Sequence, residues 1–574
     1  MPNLYSRKNV SFSSFFALLE MSVESEYVVT DVKQIPQYVT NLRATFRTGK
    51  TLEYKWRIEQ LKQLRRLISE GRERLSQAMW KDLHRSRMET YLLELSTVEA
   101  DINATIEHLS SWMTPERVST NLSNFPGSSY IQSDPLGVVL IMSPWNYPIQ
   151  LFLSPLVGAI AAGNCVVLRP ADYTHNVSAV LSDLVHEYLD PECFRVVTGG
   201  REVTTAVLAQ RFDLIFFTGG PTLGRIVHLA ANKYLTPVIL ELGGKSPSYV
   251  HRDADLEISA RRLAWSVFLN AGQTCVRPDY LLVHRDIASR FLDKLRSNII
   301  ELYTSECSDA REYGFQPSTD SVENAALAAE TPAEYLPGVK PSSSAYDQTS
   351  LTMIQKSPYF GRIVDGGSAF DRLVKIVEDD VAYVTVGGAV NRESRFMAPT
   401  ILNFGSDKEA FATSSSMQVE IFGPILPVLT VQDEEEALQF ITDREHPLAS
   451  YCFTTSSAVK AKFAKRTTSG SLVFNDAIVQ LANHHLPFGG VGASGMGNYH
   501  GKFSFDTFSH QKSVLYKTNM LDLAARYPPY STTKEKVLKL VNMHIPDSAI
   551  AVGVTVVAAA VVTAVVLGTK KYWS

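Results

Sequence analysis

Between Gly137 and Gly244 short β-branched runs alternate with helical stretches, and this alternation leaves the chain few folds. GVVLIMSP, NCVVLRP, FRVVTGG, DLIFFTGG and PVILELGG read as strands, while the segments around Asn176 to Leu189 and from Thr222 onward carry helical spacing. Strand, helix and strand repeated at this interval predict a parallel sheet wound on both faces, since every parallel pair needs a crossover. One junction is suggestive: DLIFF runs into TGGPTLG, with Gly219, Gly220 and Gly224, and then into a helix. Unpaired N–H groups and a helix dipole at such a junction favour an anion, as in pyrophosphate binding. The full GxGxxG fingerprint is missing, and a plain tight turn accounts for the glycines equally well.

Helices are predicted over residues 51 to 113, where Ile58, Leu61, Leu64 and Ile68 recur at helical spacing. A helical stretch and a strand at DYLLVH fill residues 251 to 306. Ser308 to Lys356 is rich in Ser, Pro, Ala and Tyr without periodicity and reads as a surface loop or disordered insertion. Regular patterning returns from Pro358 to His510. At 574 residues, 45% hydrophobic and 20% charged, the chain can bury several cores. Its net charge of −4 supplies no field for nucleic acid, which is excluded as a partner. Five cysteines, with no CxxC pair and no His cluster at ligand spacing, argue against a disulfide framework or a metal site. The adjacent His484 and His485 point in different directions, which suits packing rather than ligation.

The ends add a membrane. Ala549 to Gly568 is an uncharged run of 20 residues followed by Lys570 and Lys571, and as a helix it would span about 30 Å, the thickness of a bilayer core. Only Thr569 to Ser574 follow, so the expectation is a tail-anchored transmembrane helix with the catalytic part facing the cytosol. Endoplasmic reticulum, mitochondrial outer membrane and peroxisome all suit its composition. Upstream, Ser531 to Ile545 reads as a short amphipathic helix, with Thr532 and Glu535 at capping-box spacing, that lies on the membrane or packs on the main domain. The first 20 residues are Ser-rich with Arg7 and Lys8, a leader expected to be disordered, and either Met1 or Met21 could be the working start.

Two residues invite chemistry. Cys275 sits in LNAGQTCVRPDY among small and polar residues that let a substrate reach the sulfur, and a reactive thiol needs a lowered pKa or a nearby base. Glu241 ends an apolar strand and is followed by Gly243 and Gly244, so it is a candidate base. Taken with SPWNYP (Ser143 to Pro148), AAGNCVVLRP (Ala161 to Pro170), FTGGPTLG (Phe217 to Gly224), ELGGKSP (Glu241 to Pro247), GQTC ending at Cys275, EIFGP (Glu420 to Pro424) and PFGGVGASGMG (Pro487 to Gly497), the chain resembles the aldehyde dehydrogenase superfamily over roughly residues 50 to 515. FDTFSHQKSVL, RYPPYS and the hydrophobic tail look most like its class 3 group and the membrane-bound fatty aldehyde dehydrogenases.

The resemblance implies an α/β fold with a doubly wound, Rossmann-like cofactor domain, an α/β catalytic domain, a small β oligomerisation arm and a homodimer. It implies NAD+-dependent oxidation of aldehydes to acids, with Cys275 as nucleophile, Asn146 as oxyanion donor and Glu241 as base. Glu420 and Phe422 would hold the nicotinamide ribose side, Gly219 and Gly224 the phosphates, and Asn475 would either line the aldehyde site or turn the chain. Arg169 and Asp172 stand where the family has Lys and Glu on the adenine ribose; the shorter acid and the guanidinium fork leave room for NADP+ as well. The expected plan is a leader (1–27), N-terminal helices and cofactor domain (28–240, arm strands near 123–134), catalytic domain (241–440, insertion 308–356), a return to cofactor domain and arm (441–519), an amphipathic gate or linker helix (520–548) and the anchor (549–568). Medium- and long-chain aliphatic aldehydes are the expected substrates. Aromatic or soluble aldehydes, with the anchor only localising, and an inactive tethered binding protein are the alternatives.

Overall fold

The computed structural model describes residues 25–305, 331–339, 346–366, 368–519 and 522–542. The leader before Ser25, the greater part of the insertion and the apolar run Ala549–Gly568 lie outside the described residues. Those residues fall into two units: a body from residues up to His108 and Pro135–Phe508, and a smaller unit from Leu109–Asp134 and residues from Ser509 onward.

The helical reading of residues 51 to 113 resolves into Tyr54–Leu83, Arg87–Thr90, a π-helical turn Tyr91–Leu95 and Ser96–Met113. The first buries Leu61, Leu64, Leu67, Ile68 and Leu75 along one face. Gly71 lets it approach the helix His175–Tyr188, since a Cβ there would lie 2.6 Å from Leu184.

The predicted wound sheet has six strands in the order Gly495–Met496, Val238–Leu242, Leu214–Gly219, Val138–Met142, Cys165–Arg169 and Phe194–Val196. All pairs are parallel except the first, where Gly495 opposes Glu241. Val138–Met142 and Cys165–Arg169 are buried at every position, as expected of parallel strands covered on both faces. Chain order reverses between Val138–Met142 and Leu214–Gly219, and the crevice beyond the carboxyl ends of such neighbours is where doubly wound sheets bind ligands.

A second sheet of seven strands runs Val384–Val386, Thr400–Asn403, Ile425–Val431, Tyr280–His284, Pro247–Val250, Ala449–Phe453 and Ser471–Phe474. The chain changes sheets between Leu242 and Pro247, close to the expected boundary at 241. The expected return at 441 is corrected: Ala449–Phe453 and Ser471–Phe474 still belong to the second sheet, and only Gly495–Met496 rejoins the first. The expectation of a loop or disorder across 308–356 also fails where that segment is described. Glu334–Tyr335 pairs with Ala389–Asn391, and helix Gln348–Lys356 buries Leu351 and Ile354. Leu336 and Tyr346 are buried too, with Tyr346 Oη donating to Pro399 O at 3.0 Å.

The smaller unit holds a three-stranded sheet of Glu116–Val118, Gly127–Pro135 and Ser509–Lys517. Lys512 pairs with Asp134 at 2.6 Å, and Tyr130 meets Tyr516 edge to face. Its helix Thr532–Val541 is capped by Ser531, whose extended backbone lets the hydroxyl accept from Lys534 N, so Thr532 is the first helical residue rather than the cap. Among the described residues no helix is long and apolar enough to cross a membrane.

Candidate active site

The carboxyl edge of the first sheet faces the amino edge of the second across a cavity of about 260 Å3. From the first sheet come Asn146, on the loop after Val138–Met142, Gly219 and Glu241; from the second come Cys275, ahead of Tyr280–His284, and Glu420 and Phe422, ahead of the neighbouring strand Ile425–Val431.

Cys275 owes its place to a turn in which Asn270, Ala271 and Gly272 are all left-handed, with φ of 53°, 51° and 72°. At Gly272 a side chain is impossible, because a Cβ would fall 2.2 Å from Gly423 O. Burial, then Glu420 and Glu241, push the Cys275 thiol up to about 12, opposed by the backbone N–H groups of Cys275 and Val276. The low pKa that would make a thiol reactive unaided is therefore absent, and the sulfur needs a base.

Glu241 is 2% exposed and neither carboxyl oxygen has a hydrogen-bond partner among the described residues. Burial alone drives its pKa well above the usual carboxylate range. A buried, unpartnered carboxyl is costly to a fold, and one that lines a cavity is free to exchange a proton with whatever enters. Glu420 is pushed up to about 8 by burial and then by Asp279, against the Gly244 N–H, Arg277 and Lys245. Its carboxylate rests on Gly243, where a Cβ would lie 2.1 Å from Oε2. Phe422, at φ 51°, meets Trp145 edge to face with centroids 5.4 Å apart.

Asn146 is 3% exposed and is fixed by its partners. Its Nδ2 donates to Gln273 O at 3.1 Å, and its carbonyl accepts from Arg85 at 2.6 Å and Asn270 at 3.0 Å.

Several residues here escaped the sequence reading. Arg372 lines the cavity and donates to the carbonyls of Glu420 and Ile421 at 3.3 and 2.7 Å. Asp279 binds Lys245 at 2.6 Å, Arg277 at 2.7 Å and Ile421 N at 3.2 Å, anchoring the EIFGP loop to the ELGGKSP turn. Lys245 lies inside a quoted motif and Arg277 two residues beyond Cys275, and that adjacency was the available signal.

A second cavity, of about 170 Å3, opens on the other side of Cys275 and shares Leu151 and Phe488 with the first. Leu92, Leu93, Trp265, Val479 and Leu481 make it apolar; the hydroxyls of Tyr147 and Thr274 in its wall satisfy each other at 2.7 Å.

Not every expected residue reaches the cavity. Gly224 lies inside helix Pro221–Asn232, where a Cβ would meet Leu242 at 2.7 Å, so its smallness serves helix–strand packing rather than a ligand. Arg169 and Asp172 lie outside both linings; Arg169 is 7% exposed and donates to Gly199 O at 2.7 Å and Asp172 at 3.5 Å. Asn475 also lies outside both and serves a turn, its side chain accepting from Thr454 N at 2.8 Å.

An anion could rest at Gly219 and Gly220. The helix Pro221–Asn232 starts there with no side-chain cap; Pro221 has no N–H, so the donors left unclaimed among the described residues are those of Thr222 and Leu223. Gly220 has open space where a Cβ would be. The residues present therefore fit a dinucleotide entering beside Glu420.

Known proteins agree. The sequence profile of the aldehyde dehydrogenase family matches residues 22–325 and 364–514. Aldehyde dehydrogenase family 3 member B1 of Homo sapiens is 40% identical over 87% of this chain and 95% of its own length. AldH of Staphylococcus aureus, solved in a substrate-bound state, is 36% identical, covers 88% of this chain and 98% of its own, and superposes with a TM-score of 0.76. An indole-3-acetaldehyde dehydrogenase solved with NAD+ shares the fold at a TM-score of 0.70 and 22% identity, over 86% of this chain and 90% of its own. With its thiol and two carboxyls gathered between two sheets and its sequence matched along most of its length, the chain belongs to the aldehyde dehydrogenase family.

Proposed function

We propose that this protein oxidises medium- and long-chain aliphatic aldehydes to carboxylic acids with NAD+, and that Ala549–Gly568 anchors it to a membrane. The observation that carries the chemistry is the position of Cys275 at the meeting point of a polar, glycine-edged cavity and an apolar one. An alkyl chain gains about 0.8 kcal/mol per buried CH2, so the apolar side suits the tail of a lipid-derived aldehyde. A membrane anchor would place the enzyme where such aldehydes partition.

In this reading Glu241 takes the proton of Cys275, whose sulfur adds to the aldehyde carbonyl. The new oxyanion lies between the Asn146 amide and the Cys275 N–H. NAD+, when bound, supplies the acceptor for the hydride whose loss turns this adduct into a thioester. Glu241 passes the Cys275 proton on to solvent, then draws a proton from the water that adds to the thioester carbonyl and returns it to the departing sulfur, so that Cys275 leaves as the thiol and the carboxylic acid is released. Glu420 and Phe422 hold the nicotinamide end, Gly219 and Gly220 the phosphates, and Asp172 the adenine ribose. The commitment of Arg169 to Gly199 and Asp172 weighs against a 2′-phosphate and for NAD+ over NADP+. The Gly127–Pro135 and Ser509–Lys517 strands are assigned to a homodimer contact.

Initial rates of full-length, detergent-solubilised protein over a series of straight-chain alkanals, with each cofactor, test this. The expected outcome is kcat/KM that climbs with chain length and favours NAD+. Turnover confined to short or aromatic aldehydes would reject the substrate class and leave the anchor as an address.

A further inference from the structure

The loop that carries Asn146 is gripped from below by a buried ion pair. Arg85 and Glu94 are both 0% exposed and share a charge-assisted hydrogen bond. The other terminal nitrogen of Arg85 donates to Asn146 O at 2.6 Å. The other carboxylate oxygen of Glu94 accepts from Ile149 N at 2.7 Å and Gln150 N at 2.9 Å, at the start of helix Gln150–Ala162. The pair thus fixes the loop at two points. Arg85 also stacks over the Tyr147 ring at 4.7 Å, and Tyr147 Oη bonds the hydroxyl of Thr274, the residue before the nucleophile.

Stability alone is a poor reason for such a pair. Two charges lose their hydration, Arg85 Nε is left without an acceptor among the described residues, and apolar residues of equal volume often serve a core as well or better. Glu94 moreover sits in the π-helical turn Tyr91–Leu95, a rare geometry that recurs at functional sites. Leu92 and Leu93 of the same turn line the apolar cavity.

We propose that Arg85 and Glu94 are positioning residues that aim the Asn146 side-chain amide at the oxygen of the Cys275–aldehyde adduct. This rests on the oxyanion role assigned to Asn146. The pair touches neither cavity, so its removal lowers kcat without loosening NAD+.

The test uses full-length protein in detergent carrying Arg85→Met, Arg85→Lys, Glu94→Gln or Asn146→Ala, together with the double variant that combines Arg85→Met and Asn146→Ala. Alkanal kcat and KM, NAD+ Kd by fluorescence quenching and circular dichroism are measured for each. Arg85→Met and Glu94→Gln are expected to lower kcat about 100-fold with Kd unchanged, and Arg85→Lys to recover most of that loss. Added to Asn146→Ala, Arg85→Met should cost less than about 3-fold more, because the two act through one amide. Losses that multiply in the double variant, or an Arg85→Lys as impaired as Arg85→Met, would overturn the proposal. Should Arg85→Met fail to fold, Glu94→Gln with Asn146→Ala completes the same cycle. An Asn146→Ala protein with unchanged kcat would reject the oxyanion role itself, an outcome separate from the other two.

Discussion

The two cavities that meet at Cys275 are built on opposite principles. The polar side gathers Asn146, Glu241, Arg372 and Glu420 around glycines that expose backbone N–H groups. The far side is walled by Leu92, Leu93, Trp265 and Val479, and the paired hydroxyls of Tyr147 and Thr274 satisfy each other. Polar groups on one side can stabilise charge as it develops, whereas the other side has little to offer a ligand beyond burial. A single sulfur placed between them lets chemistry and substrate choice be altered separately.

Changes at the junction should be the most damaging. Cys275→Ser is expected to lower kcat about 10,000-fold or more on every aldehyde, with the fold intact by circular dichroism. Next comes the polar side: Glu241→Gln should cost about 100- to 10,000-fold in kcat. Glu241 and Cys275 are both held above their ordinary pKa values, so each keeps its proton to a higher pH than usual, and the reactive forms accumulate as pH rises. The wild-type kcat/KM should therefore rise as pH is raised from neutrality towards the Cys275 value of about 12; a rate that falls on leaving neutrality would contradict these assignments. The apolar side should give a smaller and selective effect. Leu93→Asn is expected to raise KM for long alkanals about 10-fold, equivalent to roughly 1.4 kcal/mol of lost burial, and to leave short ones unchanged. Equal effects on both would break the division between the cavities. Outside both lies Leu351, fully buried in the helix Gln348–Lys356. Leu351→Ala should lower unfolding stability by about 2–5 kcal/mol, measured in denaturant, with kcat within about 2-fold.

That last region is where the sequence misled. Composition across Ser308 to Lys356 reads as a loop, because a strand of two residues and a helix of nine are too short to impose periodicity. The misplaced boundary at 441 has a related cause. Ala449–Phe453 is a fully buried parallel strand like those of the first sheet, and apolar patterning says nothing about which sheet a strand joins. Cys275, Glu241, Glu420 and Asn146 were legible since each lies in a compact motif beside its own turn. Arg372 was not: its carbonyl partners are 48 and 49 residues away. Arg85 and Glu94 are nine residues apart with Glu94 in a π-helical turn, and spacing alone does not encode their pairing. Gly224 stood in a phosphate-binding pattern, but its smallness answers to Leu242.

A structure of the full-length Cys275→Ser protein with NAD+ and a long-chain alkanal bound tests the two-sided account most directly. The account predicts the nicotinamide beside Glu420 and Phe422, the aldehyde oxygen within hydrogen-bond reach of the Asn146 amide, and the alkyl chain running past Leu93 and Val479. An alkyl chain lying on the Gly219 side, or a nicotinamide among the leucines, would contradict it.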